Sequence, residues 1–140
     1  TDADFVVKLI DVFPNDFRYP GTQPNMSRSA GGDYPMGGYQ MLVRGEIIRG
    51  RYRNSFSKPE PFKPNKVERV KFALPDVAHT FKKGHKIMVQ IQSSWFPLVD
   101  RNPQKFVNIY ECDDSDFQKA TIRIHHDVTN SSNIILPVIQ

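Results

Sequence analysis

Hydrophobic and polar positions alternate in twos along most of this chain, and no window keeps a helical apolar period for three turns. Phe5, Val7 and Leu9 alternate with Val6, Lys8 and Ile10. That pattern predicts a mostly buried strand ending before Pro14. Residues 39–53 form the next strand region, where Gly45 and Gly50 predict a bulge or kink. Period two would put Arg49, Arg51 and Arg53 on one face and Ile48, Gly50 and Tyr52 on the other. Val70, Phe72 and Leu74 point inward from a third strand whose other face carries Arg69 and Lys71. Ile87, Val89 and Ile91 alternate with Lys86, Met88, Gln90 and Gln92, the clearest strand signal in the chain. Ile122 and Ile124 mark a further strand, and residues 133–139, broken by Pro137, mark a last one suited to an edge.

The stretches between these runs read as turns. Residues 15–38 form a long loop rich in Asn, Gly, Pro and Ser, with bends at Gly31-Gly32 and Gly37-Gly38. Pro59, Pro61 and Pro64 exclude a central strand over 57–65. Residues 76–81 connect to a turn at Lys82-Lys83-Gly84, residues 93–104 form a loop, and residues 113–120 suit one helical turn. About six or seven strands with almost no helix indicate an all-β chain, an antiparallel β-sandwich of the jelly-roll kind. The length of 140 residues fits a single domain with a sizeable core.

Charge changes this picture little. The chain carries 19 Lys and Arg against 15 Asp and Glu, a net charge of +4. Nine of those bases fall between Arg44 and Lys71, where there are only three glutamates. A basic stripe can face nucleic acid, but this one lacks the density and aromatic interleaving of a dedicated binder. It reads as a solvated or domain-facing surface. No run approaches the roughly 18 apolar residues of a membrane helix. The opening Thr1-Asp2-Ala3-Asp4 reads as a boundary within a longer chain.

Candidate chemistry is sparse. No serine stands in a G-x-S-x-G turn, and Trp95-Phe96-Pro97 follows Ser93-Ser94 where small residues would be needed. Cys112 sits among acidic neighbours that blunt a thiol's nucleophilicity. As the single cysteine it can form neither an internal disulfide nor a thiolate metal cluster. His79 and His85 could approach each other across the Lys82-Lys83-Gly84 turn, with no carboxylate evidently placed to join them. His125 and His126 point to opposite faces. Asp113, Asp114 and Asp116 resemble half a calcium loop without its glycine and terminal glutamate. No catalytic residue, metal ligand or cofactor site is therefore assigned. The most unusual segment is the loop bearing Trp95, Phe96, Asp100, Arg101 and Asn102. It reads either as local packing around an Asp100–Arg101 pair or as a contact surface, because Trp and Arg are enriched at binding hot spots.

Gly84-His85-Lys86-Ile87-Met88-Val89-Gln90-Ile91-Gln92-Ser93-Ser94, then Phe96-Pro97 and Asp100-Arg101-Asn102, resembles the C-terminal jelly-roll of the X-prolyl dipeptidyl peptidase and cocaine esterase family. Asp2-Ala3-Asp4-Phe5, Lys8-Leu9-Ile10-Asp11-Val12-Phe13-Pro14, Arg51-Tyr52-Arg53 and Ile135-Leu136-Pro137-Val138-Ile139 are similar as well. The Trp-Phe-Pro-Leu and Asn-Pro-Gln variants look most like α-amino-acid ester hydrolases and glutaryl-cephalosporin acylase-like proteins. The resemblance implies a galactose-binding-domain-like sandwich at the C-terminus of an α/β-hydrolase. Ser, Asp and His of that enzyme would lie outside this chain, and it would cleave esters or amides of small acyl groups. Trp95, Phe96, Asp100, Arg101 and Asn102 then become the loop that meets the hydrolase domain. Export to the periplasm or beyond is a further implication. Strands that usually precede Asp2-Ala3-Asp4-Phe5 are missing here, so an uncovered sheet edge and a homo-oligomer are expected. Two rival readings are a carbohydrate-binding jelly-roll, using Trp95, Phe96 and Tyr110, and a basic nucleic-acid module whose binding would weaken steeply with salt.

Overall fold

The computed structural model of the chain describes residues 1–17 and 36–139. Its frame is an antiparallel three-stranded sheet. The strands are β1 (Asp4–Val12), β2 (Gln40–Arg49) and β3 (Lys86–Gln92), in the order β2-β1-β3. The strand at the chain's start is thus central, paired on both sides, as its near-continuous apolar run requires. Val6 is fully buried, and Leu9, Ile10, Ile48 and Ala3 complete the apolar core.

Register places the side chains. Leu9 lies opposite Arg44 on β2 and Val89 on β3, while Lys8 lies opposite Gly45 and Gln90. Val7, Leu9 and Asp11 therefore share a face with Ile91, Val89 and Ile87. The β1–β2 register slips between Leu9 and Ile10, whose partners are Arg44 and Leu42, so Val43 is the extra residue of a bulge. The bulge is therefore not at Gly45, whereas the kink expected at Gly50 is present, because β2 gives way there to a 3-10 turn. Gly45 is glycine for a different reason, since a Cβ there would come 2.7 Å from Cη2 of Trp95. Gly50 is buried, and a Cβ on it would collide with the Phe62 ring and the Ala3 carbonyl.

The strand expected over 39–53 stops at Arg49 and turns into a short 3-10 helix, Gly50–Tyr52. Arg53 N–H closes that turn on the Gly50 carbonyl at 3.1 Å. Arg49, Arg51 and Arg53 consequently do not line one strand face; each meets its own acid. The Lys82-Lys83-Gly84 turn forms as expected, with His85 N–H on the Lys82 carbonyl at 3.0 Å and Gly84 at φ +88°. Gly38, at φ +69°, makes the bend expected at the end of the long loop. Gly31-Gly32 lie outside the described residues. The helical turn expected over 113–120 is a 3-10 turn, Asp114–Asp116, capped reciprocally by Asp113 and Asp116.

Three of the expected strands carry no ladder. Val70, Phe72 and Leu74 are half-buried while Arg69, Lys71 and Ala73 are exposed, so the inward alternation is present without strand pairing. Beyond Ile122 and Ile124 the chain carries one isolated bridge, His126 to Ser131, and two bonds from Ser132 to the His125 carbonyl. Residues 133–139 are unpaired, and Pro137 has no N–H to donate. Period-two alternation specifies a buried face; pairing needs a neighbouring backbone in register, which alternation does not supply.

Candidate domain-contact site

The loop over 93–104 leaves the end of β3 and folds back toward the first residues of the chain. Its start is pinned by Trp95. The indole lies on the cross-strand pair Lys8–Gly45, with Lys8 Nζ 4.3 Å from the ring centroid. Only a residue without a side chain leaves room for it there. Val99 N–H then bonds the Trp95 carbonyl at 3.1 Å and closes the tip. Between these points Phe96 and Leu98 stand 63% and 69% exposed. The loop thus presents two apolar side chains to solvent from a fixed base.

Its end is pinned by Asn102, which is buried. Asn102 Nδ2 donates to Asp2 Oδ2 at 3.0 Å and to Asp4 Oδ1 at 2.8 Å, and its Oδ1 accepts from Gln104 N–H at 2.9 Å. Both aspartates are themselves buried and each holds an arginine. Arg49 meets Asp4 through Nε at 3.0 Å and Nη2 at 3.1 Å, a two-pronged contact. Arg51 meets Asp2 through its backbone N–H at 3.0 Å and Nε at 2.6 Å. Burial works against the Arg49 charge, but the hydrogen bond and charge of Asp4 outweigh it and raise the guanidinium above its ordinary value. Arg49 Nη2 also donates to the Asp100 carbonyl at 3.3 Å. This network joins the start of β1, the end of β2 and the loop, so the loop is rigidly placed on the sheet.

Of the five residues singled out in the sequence, Trp95 and Asn102 are therefore anchors turned inward. Phe96, Asp100 and Arg101 are exposed. The Asp100–Arg101 pair does not form among the described residues. Arg101 instead lies over two rings, 5.9 Å from the Phe96 centroid and 4.9 Å from that of Phe117. A stacked arginine keeps the hydrogen-bonding edge of its guanidinium free.

Sequence reasoning missed two features. The carboxylate of Asp11, on β1, joins His79 and His85, with Nε2 of His79 at 2.9 Å on one oxygen and Nδ1 of His85 at 2.8 Å on the other. The two imidazoles do approach, but as a clasp holding the 76–85 connector to the sheet. Arg44 reinforces it by donating through Nη2 to the Asp76 carbonyl at 2.7 Å. Among the described residues no group of three or more His, Cys, Asp or Glu side chains has a geometry that could hold a metal ion. The second missed feature is the role of Asp2 and Asp4, whose alternation with apolar residues gave no sign that they were core acids. Cys112 is half-buried, with its thiol on the Ile109 carbonyl at 3.1 Å. No helix among the described residues is long and apolar enough to cross a membrane.

Residues 1–135 match the family described as the X-Pro dipeptidyl-peptidase C-terminal non-catalytic domain. The chain belongs to that family. The cocaine esterase of Rhodococcus sp. (strain MB1 Bresler) is 30% identical over 139 residues, which is 99% of this chain and 20% of that protein. Two solved structures share 46% identity with it, each over 84% of this chain and 17% of theirs. One is an α-amino acid ester hydrolase, with a TM-score of 0.71. The other is an aminopeptidase from the marine sediment archaeon Thaumarchaeota archaeon, with a TM-score of 0.70. The antiparallel β-sandwich read in the alternation is the architecture of this family's domain in the ester hydrolase. The chain spans about a fifth of the length of the relatives it matches.

Proposed function

We propose that the chain is the accessory β-sandwich of a larger serine hydrolase acting on esters or amides, where it braces the hydrolase domain and helps wall the active-site entrance. The observation that carries this is the family match over 1–135 to a domain described as non-catalytic and C-terminal. An esterase, an ester hydrolase and an aminopeptidase among its relatives favour ester or amide chemistry. The loop of Trp95, Phe96, Asp100, Arg101 and Asn102 is the contact with the hydrolase domain. Support comes from its shape, with a tip of exposed Phe96 and Leu98 held between half-buried Trp95 and buried Asn102. The reading extends to a periplasmic or secreted location.

Two experiments test this reading. The reading frame upstream of Thr1 should encode a G-x-S-x-G turn after a strand, followed by an Asp and a His. A stop codon or an unrelated domain there refutes the hydrolase. In the full-length enzyme, Trp95→Ala should lower both melting temperature and turnover, because the loop loses its seat on Gly45. Unchanged values of both would remove the bracing role. By itself the chain should self-associate, since Ile87, Val89 and Ile91 are 55%, 40% and 41% exposed beside the outer edge of β3. A monomer in sedimentation that melts cooperatively would rule that out.

A further inference from the structure

Of Arg49, Arg51, Arg53 and Arg101, three are committed. Arg49 is held by Asp4, Arg51 by Asp2 and Arg53 by Glu68, all in partly or fully buried pairs. Arg101 differs. It is exposed and makes no hydrogen bond or ion pair among the described residues, yet it is not loose, because its guanidinium lies over Phe96 and Phe117. Its neighbours in sequence are fixed too, Asp100 by the bond from Arg49 and Asn102 by the buried aspartates. Asp100, the adjacent acid, forms no ion pair with Arg101 within the chain. A guanidinium held beside two rings, with no acid of its own among the described residues, offers a fork that fits a carboxylate in two parallel bonds.

From this placement we infer that Arg101 takes a carboxylate side chain of the domain that the loop meets, while Phe96 and Leu98 enter an apolar surface beside it. This rests on the reading that the loop docks on a hydrolase domain, and it adds the chemistry of the partner surface. Charge complementarity favours an acid. Lys8 and Arg101 border the loop without an acid partner among the described residues, Arg49 being neutralised by Asp4, and Asp100 is the one acid in 95–102. Little order has to be imposed on binding, since both ends of the loop are already seated.

The test is amide hydrogen exchange over 95–101 in the full-length enzyme. Phe96→Ala should accelerate exchange by roughly tenfold or more through lost apolar contact. Arg101→Ala should accelerate it by roughly 30-fold, as for one partner removed from a desolvated charge pair, and Arg101→Lys should recover only part of that. Exchange in the wild type should quicken with added NaCl, and in Arg101→Ala it should not, a difference that ring stacking alone does not produce. If Phe96→Ala exposes the loop but Arg101→Ala and Arg101→Glu leave it protected, docking stands and the carboxylate is refuted. Wild-type protection in Arg101→Lys refutes the fork. Wild-type protection in Phe96→Ala overturns docking and the carboxylate with it.

Discussion

Asn102→Ala is the most informative single change in this domain. The side chain makes three hydrogen bonds, two of them to the buried carboxylates of Asp2 and Asp4 and one from Gln104 N–H. Hydrogen bonds to charged groups are worth about 1.5–3 kcal/mol each, and a buried group left short of a partner costs about 1–3 kcal/mol. Asp2 and Asp4 keep Arg51 and Arg49, which limits the damage, so a loss of about 3 kcal/mol is expected. With an unfolding entropy of about 2.1 cal/mol/K per residue, that lowers the midpoint of a domain this size by about 10 °C. Asn102→Asp keeps the shape but turns a donor into a third carboxylate facing the other two. It should be worse than alanine at neutral pH and should recover toward it on acidification. Asn108 is the control, exposed and holding one local bond to Tyr110 N–H, and Asn108→Ala should cost no more than about 0.5 kcal/mol. Calorimetry on the three variants decides the matter. If Asn102→Ala melts with Asn108→Ala, the network does not hold the loop to the sheet.

Gly45→Ala should destabilise by about 1–3 kcal/mol, because its Cβ overlaps the Trp95 ring, and should shift indole emission as the ring is pushed off the sheet. Wild-type emission with an unchanged melt would show that Trp95 does not sit there. Asp11→Ala leaves two imidazoles without their acceptor and should cost at least about 2 kcal/mol in urea unfolding. His79→Ala, at the more exposed end of the clasp, should cost less; the reverse order would disprove the shared-carboxylate geometry. The Asp116 carboxyl is held below the usual range, first by the hydrogen bond from Lys105. A depressed carboxyl adds stability above its unfolded pKa and loses it as pH falls through the folded value. Lys105→Met should therefore raise the Asp116 pKa in an NMR titration and remove that part of the acid sensitivity, and an unmoved titration would dismiss the pair.

Much of the frame was legible before any coordinates. β1 follows from a near-continuous apolar run, β3 from period-two alternation, and the Lys82-Lys83-Gly84 turn from a glycine able to take positive φ. The family is carried by the run from Gly84 to Ser94 and by Asp100-Arg101-Asn102, a motif of adjacent residues. Val70, Phe72 and Leu74 show the limit of such reading. Their alternation correctly marks an inward face, yet no strand pairing accompanies it.

What only the tertiary structure decided is partnership between distant residues. Asp11 meets His79 and His85 across separations of 68 and 74 residues. Asn102 reaches Asp2 across 100 residues. Gly45 is glycine because an indole arrives from residue 95, a cause that does not exist in its own neighbourhood of sequence. Alternation and turn chemistry are set by sterics within a few residues, so the sequence alone determined inward faces, turns and kinship, but not which runs pair as strands. Which acid neutralises which arginine, and which aromatic fills which gap, depends on the register between strands. Register is set by the whole sheet at once, and it placed Trp95 and Asn102 inward as anchors and left Phe96 and Arg101 facing out.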